Sequence, residues 1–482
     1  MTEVSLVADV IARARAAQRV AAGWDQERVD DVVAAVGWRL YEPSAVRKLT
    51  DLALEETGFG NRDDMFDLHR RRVLGAVSDL HGARSVGILD VDRARGVTRH
   101  ARPMGVIAVL TPATAPSSGI VSNVLHVLKS RNAAVISPNP RARAVGEATV
   151  HAVREGLAAV GAPEDLVQWM DPVSRRVSEL LMEAADLVLA AGGPGSVRRA
   201  HRSGTPALSA GAGSPSVIVD ETADLGRAAE LIVHGIGFNH GTSCSAESNV
   251  LVQESVWQQF SKMLEAHGAY LCDQREGDAL AGIVWAPDGT LDTRMIGRSA
   301  AELAAAAGIR LGCEAAGMRP RSEGGAAISA LAIVCAPGAD PDRVVFGEKL
   351  SPVFTLSAYG DFEEATRIAA WQIARGGRGH SCGLHTRIEE RADQLAERLE
   401  VCRVLVNQST TVGNSGSFDN GMPFTAVIST GSWGGCSQSE NITWRHLINV
   451  VSVSRTIEPR VPEERSLFGR HALVHQAEVA GP

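Results

Sequence analysis

In the stretch Gly241-Thr-Ser-Cys244-Ser-Ala-Glu247 a thiol stands on a Gly/Ser-rich turn, after a long amphipathic run and just before the apolar Val250-Leu251-Val252. Only a thiolate attacks an electrophile. A cysteine is activated by positive potential, by a neighbouring base or by backbone N–H donors, and a turn supplies the last of these. The plain alternative is a buried core cysteine, the common fate of a lone Cys. What lies upstream favours the nucleophile.

Met104-Gly-Val-Ile-Ala-Val-Leu110 reads as a fully buried strand that stops at Thr111-Pro112, with a helix entering near Ser117. A second buried strand, Ala133-Ala-Val-Ile136, ends in Ser137-Pro138-Asn139-Pro140-Arg141. A helix from Ala144 to Val160, a strand from Asp165 to Met170, a helix from Ser174 to Ala185 and a strand from Leu187 to Ala191 continue a doubly wound α/β alternation. The last strand runs into Gly192-Gly193-Pro194-Gly195 and the helical Ser196-Val-Arg-Arg-Ala200, a corner where backbone amides and a helix N-terminus suit a pyrophosphate. Such a turn is often only a tight connection, and its spacing is not G-x-G-x-x-G.

These blocks occur in one order with Pro103-Met-Gly-Val-Ile, Gly211-Ala-Gly-Ser-Pro215, Val219-Asp-Glu-Thr-Ala-Asp224, Glu348-Lys-Leu-Ser-Pro352, Gly379-His380, Gly431-Ser-Trp-Gly-Gly435, Ser439-Glu-Asn441 and His446-Leu-Ile-Asn449. Together they resemble the CoA-acylating branch of the aldehyde dehydrogenase superfamily, from the first helices to about Arg455. The resemblance implies that superfamily's α/β fold: a Rossmann-like nucleotide-binding domain (1–85 and 104–210), oligomerisation strands (86–103 and 445–456), a catalytic domain (211–430), a return to the cofactor domain (431–444) and a tail (457–482). Between Val86 and Pro103 the patchy alternation around Gly96 is itself most simply a β-hairpin. In the family it joins a C-terminal strand, here Leu447 to Ser454, between subunits, which implies a homodimer or homotetramer.

The resemblance also assigns roles. Cys244 would be the nucleophile, acylated by a short aldehyde after hydride transfer to NAD or NADP, and coenzyme A would take the acyl group. Thr111, Pro112, Ser137, Pro138, Asn139, Pro140, Arg141, Gly192, Gly193, Pro194, Gly195, Gly211 and Glu348 would bind the nucleotide, Glu348 at the nicotinamide ribose. Where many NAD-preferring relatives put an acid after the second strand, this chain has Pro140-Arg141-Ala-Arg143, which tolerates a 2′-phosphate. For the oxyanion, the Cys244 backbone N–H needs a side-chain partner, and both Thr114 and Asn123 are candidates, although an inward Asn is also read as a satisfied buried amide. His380 is placed to assist CoA attack or to support its loop.

The hydrolytic branch carries a glutamate where this chain has Ser209. Water, with a pKa of about 15.7, needs a base to attack a thioester. A thiol with a pKa of about 8.5 needs far less help, so loss of the glutamate favours thiolysis. Glu247 is the sole local substitute base, and the family uses its position structurally; His240 carries the same caution. A hydrolytic enzyme and a non-catalytic family member are the two rival readings. Cys335 and Cys402 sit in apolar, strand-like runs and read as core, whereas Cys382 and Cys436 read as loop residues near the site.

Composition limits the alternatives. The chain has 482 residues and a net charge of −8, with a pI near 6.0, so neither nucleic acid nor anionic membrane is broadly attracted. Arg70-Arg-Arg72 reads as a solvated helix face. Seven cysteines without a C-x-x-C pair argue for reduced thiols in a cytoplasm and against a zinc site. No stretch reaches membrane-spanning length. Val4, Val7, Ala8, Ile11 and Ala14, then Val29, Val32, Val33 and Val36, repeat at helical spacing, so the N-terminus is packing and not an address.

Overall fold

A computed structural model describes residues 2–311, 327–336 and 343–471. The expected tail therefore falls within the described residues only as far as His471. Four helices lead: α1 (Glu3–Ala22), α2 (Gln26–Tyr41), α3 (Pro43–Thr57) and α4 (Arg62–Leu80). Thr2, Asp25 and Asn61 cap the first, second and fourth by accepting from the backbone N–H three residues on. The stripes read from helical spacing turn inward for the most part: Val7, Ile11 and Ala14 of α1 are buried, as are Val29, Val32, Val33 and Val36 of α2, whereas Val4 and Ala8 face solvent at the start of α1.

The hairpin follows as β1 (Gly87–Asp92) and β2 (Val97–Pro103). The first α/β unit is β3 (Val106–Leu110), α5 (Ser118–Lys129), β4 (Ala133–Ser137), α6 (Arg143–Ala159), β5 (Val167–Trp169), α7 (Arg175–Ala184), β6 (Leu187–Ala191), α8 (Pro194–Arg202) and β7 (Ala207–Ala210). Its five strands lie parallel in the order β5-β4-β3-β6-β7. The order reverses between β3 and β6, which opens a crevice at their carboxyl ends. β3 begins two residues later than the sequence suggests, because the Met104 and Gly105 amides donate to Asn132 Oδ1 at 2.7 and 2.9 Å. β5 is short because Glu164–Leu166 closes a 3₁₀ turn.

The second unit comprises β8 (Ser216–Val219), α9 (Leu225–Gly237), β9 (Asn249–Gln253), α10 (Trp257–Ala266), β10 (Ala269–Cys272), α11 (Gln274–Val284), α12 (Ala300–Ala306), β11 (Ala330–Cys335), β12 (Val353–Tyr359), α13 (Phe362–Gly376), β13 (Cys382–His385), α14 (Glu390–Arg398), β14 (Val404–Val406) and α15 (Thr410–Gly413). Its seven strands are parallel, in the order β10-β11-β12-β9-β8-β13-β14. The last strand, β15 (Ile448–Ser454), pairs antiparallel with β2, so the hairpin and the C-terminal strand form a separate sheet, β1-β2-β15. No helix among the described residues is long and apolar enough to cross a membrane.

Three readings need correction. Cys382 is not in a loop: it opens β13, and burial pushes its thiol up to about 12. Cys402 is not core but half-buried at a bend, because Val401 makes a single bridge to Gly379 and the run does not pair again until Val404. The arginines at 70–72 are no solvated face, since α4 packs on α2 and α5 and leaves all three half-buried. Arg70 lies 4.2 Å above the Tyr41 ring and Arg72 Nη1 donates to Ser118 Oγ at 3.0 Å.

Candidate active site

The loop between α9 and β9 carries Cys244. Asn239 and His240 take positive φ values of 48° and 53°, which turn the chain sharply out of the helix. The strain is held from outside: Asn239 N donates to Asp64 Oδ2 at 2.6 Å, and Asn239 Oδ1 accepts from Asn61 N at 3.1 Å. His240 Nδ1 lies 3.1 Å from the Gly297 carbonyl. Gly241, at φ 65°, abuts the Ser351 carbonyl so closely that a Cβ would collide with it. Behind Cys244, Glu247 is buried and accepts from Ser409 Oγ at 2.7 Å, Thr410 N at 2.7 Å and Thr411 Oγ1 at 3.0 Å. Its carboxylate thus ties the loop to the start of α15, outside the cavity wall.

Cys244 is half-buried in the wall of a cavity of about 400 Å³. The end of β3 gives that wall Thr111 to Ala115, and α5 gives Gly119 and Asn123. Asn139 and Arg141 come from the end of β4, Gly192 and Gly193 from the end of β6, and Ala210 to Ala212 from the passage between the two large sheets. Glu348 and Leu350 enter from the second unit, Leu68 and Arg72 from α4, and Phe59 from the turn between α3 and α4.

The site's electrostatics follow from this enclosure. Burial pushes the Cys244 thiol up to about 11; Glu348 adds to the rise and the Arg72 charge opposes it. Burial lifts Glu348 to about 7, against a long hydrogen bond of 3.3 Å from Gly213 N and the charge of Lys349. Lys349 is lowered by burial to about 7. Burial, aided by Arg403, lowers His380 to about 3, so its ring is neutral in ordinary buffers. Asn123 is buried, and its Nδ2 has no hydrogen-bond partner.

Of the sequence-derived candidates, Cys244, Thr114, Asn123, Thr111, Pro112, Asn139, Arg141, Gly192, Gly193, Gly211 and Glu348 share this cavity. Ser137, Pro138, Pro140, Gly195 and His380 are not in its wall. Ser137 closes β4 with its hydroxyl 2.8 Å from Ser178 Oγ, Pro138 is buried and close to the α6 residue Gly146, Pro140 opens a 3₁₀ turn, and Pro194 and Gly195 begin α8. His380 lies behind Gly213, where a Cβ would come within 2.8 Å of its Nε2 and collide with the Cys244 carbonyl oxygen. Sequence reasoning missed Leu68 and Arg72, because nothing in an amphipathic helix tells which partly apolar face meets a cleft, and Phe59, because a turn residue carries no periodicity to show which way it faces.

Residues 2–425 match the aldehyde dehydrogenase family. The chain belongs to that family. Over 96% of its length it is 37% identical to a sulfoacetaldehyde dehydrogenase from an Acholeplasma species, covering 94% of that relative. It is 36% identical to the acylating sulfoacetaldehyde dehydrogenase of Bilophila wadsworthia, covering 96% of this chain and 98% of the relative. The crystal structure of an acetylating aldehyde dehydrogenase from Geobacillus thermoglucosidasius superposes with a TM-score of 0.89 at 27% identity, covering 96% and 98% of the two chains.

In this aldehyde dehydrogenase Ser209 is buried in β7, where its hydroxyl meets His201 Nε2 at 2.8 Å and Cys436 Sγ at 3.2 Å, not the cavity. Cys436, read from the sequence as a loop residue near the site, accepts from that serine and also from Thr430 Oγ1 at 3.1 Å. Among the described residues Glu348 is the one carboxylate on the cavity wall.

Proposed function

We propose that the protein oxidises a short aldehyde to its acyl-CoA through a thioester on Cys244. The observation that carries this reading is Ser209: a buried hydroxyl turned toward His201 and Cys436 occupies the place of a hydrolytic base, while Glu247 spends its carboxylate on Ser409, Thr410 and Thr411. Glu348, the one carboxylate that the described residues put on the wall, is assigned to the nicotinamide ribose, so release of the acyl group falls to a thiolate, which needs no base.

The Cys244 thiolate attacks the carbonyl carbon, and the oxyanion accepts hydrogen bonds from the Cys244 backbone N–H and from Asn123 Nδ2, the unpartnered donor in the wall. Thr114 supports from the rim. Thr111, Pro112, Asn139, Arg141, Gly192, Gly193, Gly211 and Glu348 would hold a nicotinamide dinucleotide, which would supply the hydride acceptor. The resulting thioester is attacked by the CoA thiolate, Cys244 Sγ leaves, and the cycle is reversible. His380 is neutral and lies against Gly213 beside the Cys244 carbonyl, its Nε2 without a hydrogen-bond partner, a place from which it supports the Cys244 loop or assists CoA attack.

The dinucleotide fits the crevice between β3 and β6. A Cβ on Gly193 would meet no atom within 4 Å, so that turn borders open space where a diphosphate can lie. Asn139, Arg141, Gly211, Thr111 and Pro112 would flank it, with Glu348 at the nicotinamide ribose. Arg143 is paired with Asp171 at 3.0 Å, but Arg141 is exposed and held only by a 3.4 Å contact to Thr293, which leaves it able to meet a 2′-phosphate, so we assign acceptance of both NAD and NADP. The free cysteines support a cytoplasmic setting, and the edge of β15 supports a homodimer or homotetramer.

The 36–37% identical relatives named for sulfoacetaldehyde support that aldehyde as a substrate. The deciding experiment supplies NAD+ or NADP+ with sulfoacetaldehyde, acetaldehyde or propionaldehyde, with and without CoA, and identifies products by mass. CoA-dependent formation of acyl-CoA is expected, abolished in Cys244→Ala and largely kept in Cys436→Ala. Equal rates without CoA, giving free acid, would overturn the reading.

A further inference from the structure

Arg72 has no role in the chemistry above. It sits inside α4 with its side chain in the wall that also holds Cys244, Gly119 and Asn123. Ser118 Oγ takes one hydrogen bond from Nη1 at 3.0 Å, Nε is buried without an acceptor, and no carboxylate among the described residues pairs with the guanidinium. Arg71 stands beside it, also without an ion pair among the described residues; Asp419 is the carboxylate it feels. A half-buried guanidinium with no ion pair loses hydration without an opposite charge to offset the loss. The cost is offset when an anion arrives, and the planar fork of N–H donors matches the oxyanions of sulfonate and carboxylate.

Two other anions could claim it. The diphosphates of the dinucleotide and of CoA, however, are separated from their reacting atoms by a nicotinamide ribose and by a pantetheine arm. Arg72 lies close enough to Cys244 for its charge to favour the thiolate. Both side chains line one cavity of about 400 Å³, so a group held by Arg72 shares that cavity with the reacting carbon.

We propose that Arg72 is the substrate's anion anchor, binding a sulfonate or carboxylate carried one or two carbons from the aldehyde carbon and so selecting anionic over neutral aldehydes of the same length. This rests on the acylating reading above for its turnover consequences, but not for the binding itself. Leu68 and Phe59 would flank the methylene, leaving the anionic end to the guanidinium.

The test compares kcat/KM for sulfoacetaldehyde with that for propionaldehyde, measured as acyl-CoA formed, in the natural enzyme, Arg72→Gln and Arg72→Lys. The natural enzyme should favour sulfoacetaldehyde, Arg72→Gln should cut that preference about 100-fold, as expected for losing a charge-assisted pair, and Arg72→Lys should recover part of it. A second arm needs no turnover: ethanesulfonate should slow iodoacetamide alkylation of Cys244 in the natural enzyme and not in Arg72→Gln. An equal fall for both aldehydes, an unchanged preference, or a raised KM for CoA with the preference intact would overturn the proposal. If no aldehyde yields acyl-CoA, the acylating reading fails, while ethanesulfonate protection still decides whether Arg72 holds the anion.

Discussion

At the scale of single residues, the thiol and its neighbours make quantitative demands. A Cys244 pKa near 11 means that the free enzyme is mostly thiol at neutral pH, and its thiolate fraction rises tenfold for each unit of pH up to that value. Alkylation of Cys244 by iodoacetamide in the cofactor-free enzyme should therefore keep rising from pH 7 to pH 10; a plateau near pH 7 would show that another group activates it. Ionisation of Glu348 near pH 7 works against the thiolate, so Glu348→Gln should speed alkylation above that pH. The unpartnered Nδ2 of Asn123 predicts that Asn123→Ala lowers kcat by about 10²–10³, the usual loss for one oxyanion donor, with Thr114→Ala costing much less. Comparable losses in steady-state kinetics would return the donor role to Thr114. Cys244 was legible because its turn is a local feature. Arg72 was not, since three consecutive arginines on one helix look alike until the neighbouring helices decide which of them faces a cleft.

At the scale of elements, the nucleophile's place is fixed by two crossings between the sheets. Gly213, in the passage from β7 to β8, touches both the Cys244 carbonyl and His380, so there is no room for a methyl group. Gly213→Ala should displace the thiol and lower kcat at least tenfold while thermal unfolding stays cooperative, since displacements of about 1 Å at a reacting atom cost as much as 10² in rate. Unchanged kcat would mean that the passage yields more freely than its packing indicates. Glu247 joins the nucleophile loop to the N-terminus of α15, where a carboxylate satisfies otherwise orphaned amides. Glu247→Ala leaves buried donors unpaired and should destabilise by about 2–4 kcal/mol in denaturant unfolding. Glu247→Gln, able to keep part of the network, should retain most of the activity; a loss of chemistry without loss of stability would make Glu247 a base after all. The strands on either side of the crevice were readable because parallel strands buried on both faces are continuous apolar runs. Their ends were less so: the start of β3 is set by Asn132, 28 residues after Met104, a partner no local window contains.

At the scale of the whole molecule, the three-stranded sheet β1-β2-β15 is the part with an exposed apolar edge. β15 lies at its edge with an unpaired row of backbone groups, and Val450, Val451 and Val453 are exposed together with Ile88 and Val91 of β1. An apolar edge of this kind invites pairing with another chain. Val451→Asp should shift the protein to a smaller species in light scattering without lowering the stability of the subunit, because Val451 makes few contacts within its own chain, being 49% exposed. An unchanged mass would overturn the assignment of this edge to a subunit contact.

The sequence by itself determined the alternation of strands and helices, the family, and the position of the thiol on a tight turn. All of these rest on patterns within a few residues or on ordered blocks that survive without coordinates. Only the tertiary structure decided which groups meet that thiol. The amide of Asn123, the guanidinium of Arg72 and the inward turn of Ser209 toward Cys436, 227 residues away, depend on how helices and sheets pack. Packing is a long-range balance of shape and burial that no local spacing encodes. The same balance moved Cys382 from an expected loop into a strand and took the arginines at 70–72 out of solvent. Burial then reset the protonation of Cys244, Glu348 and His380, turning ordinary side chains into a site with its own acid–base chemistry.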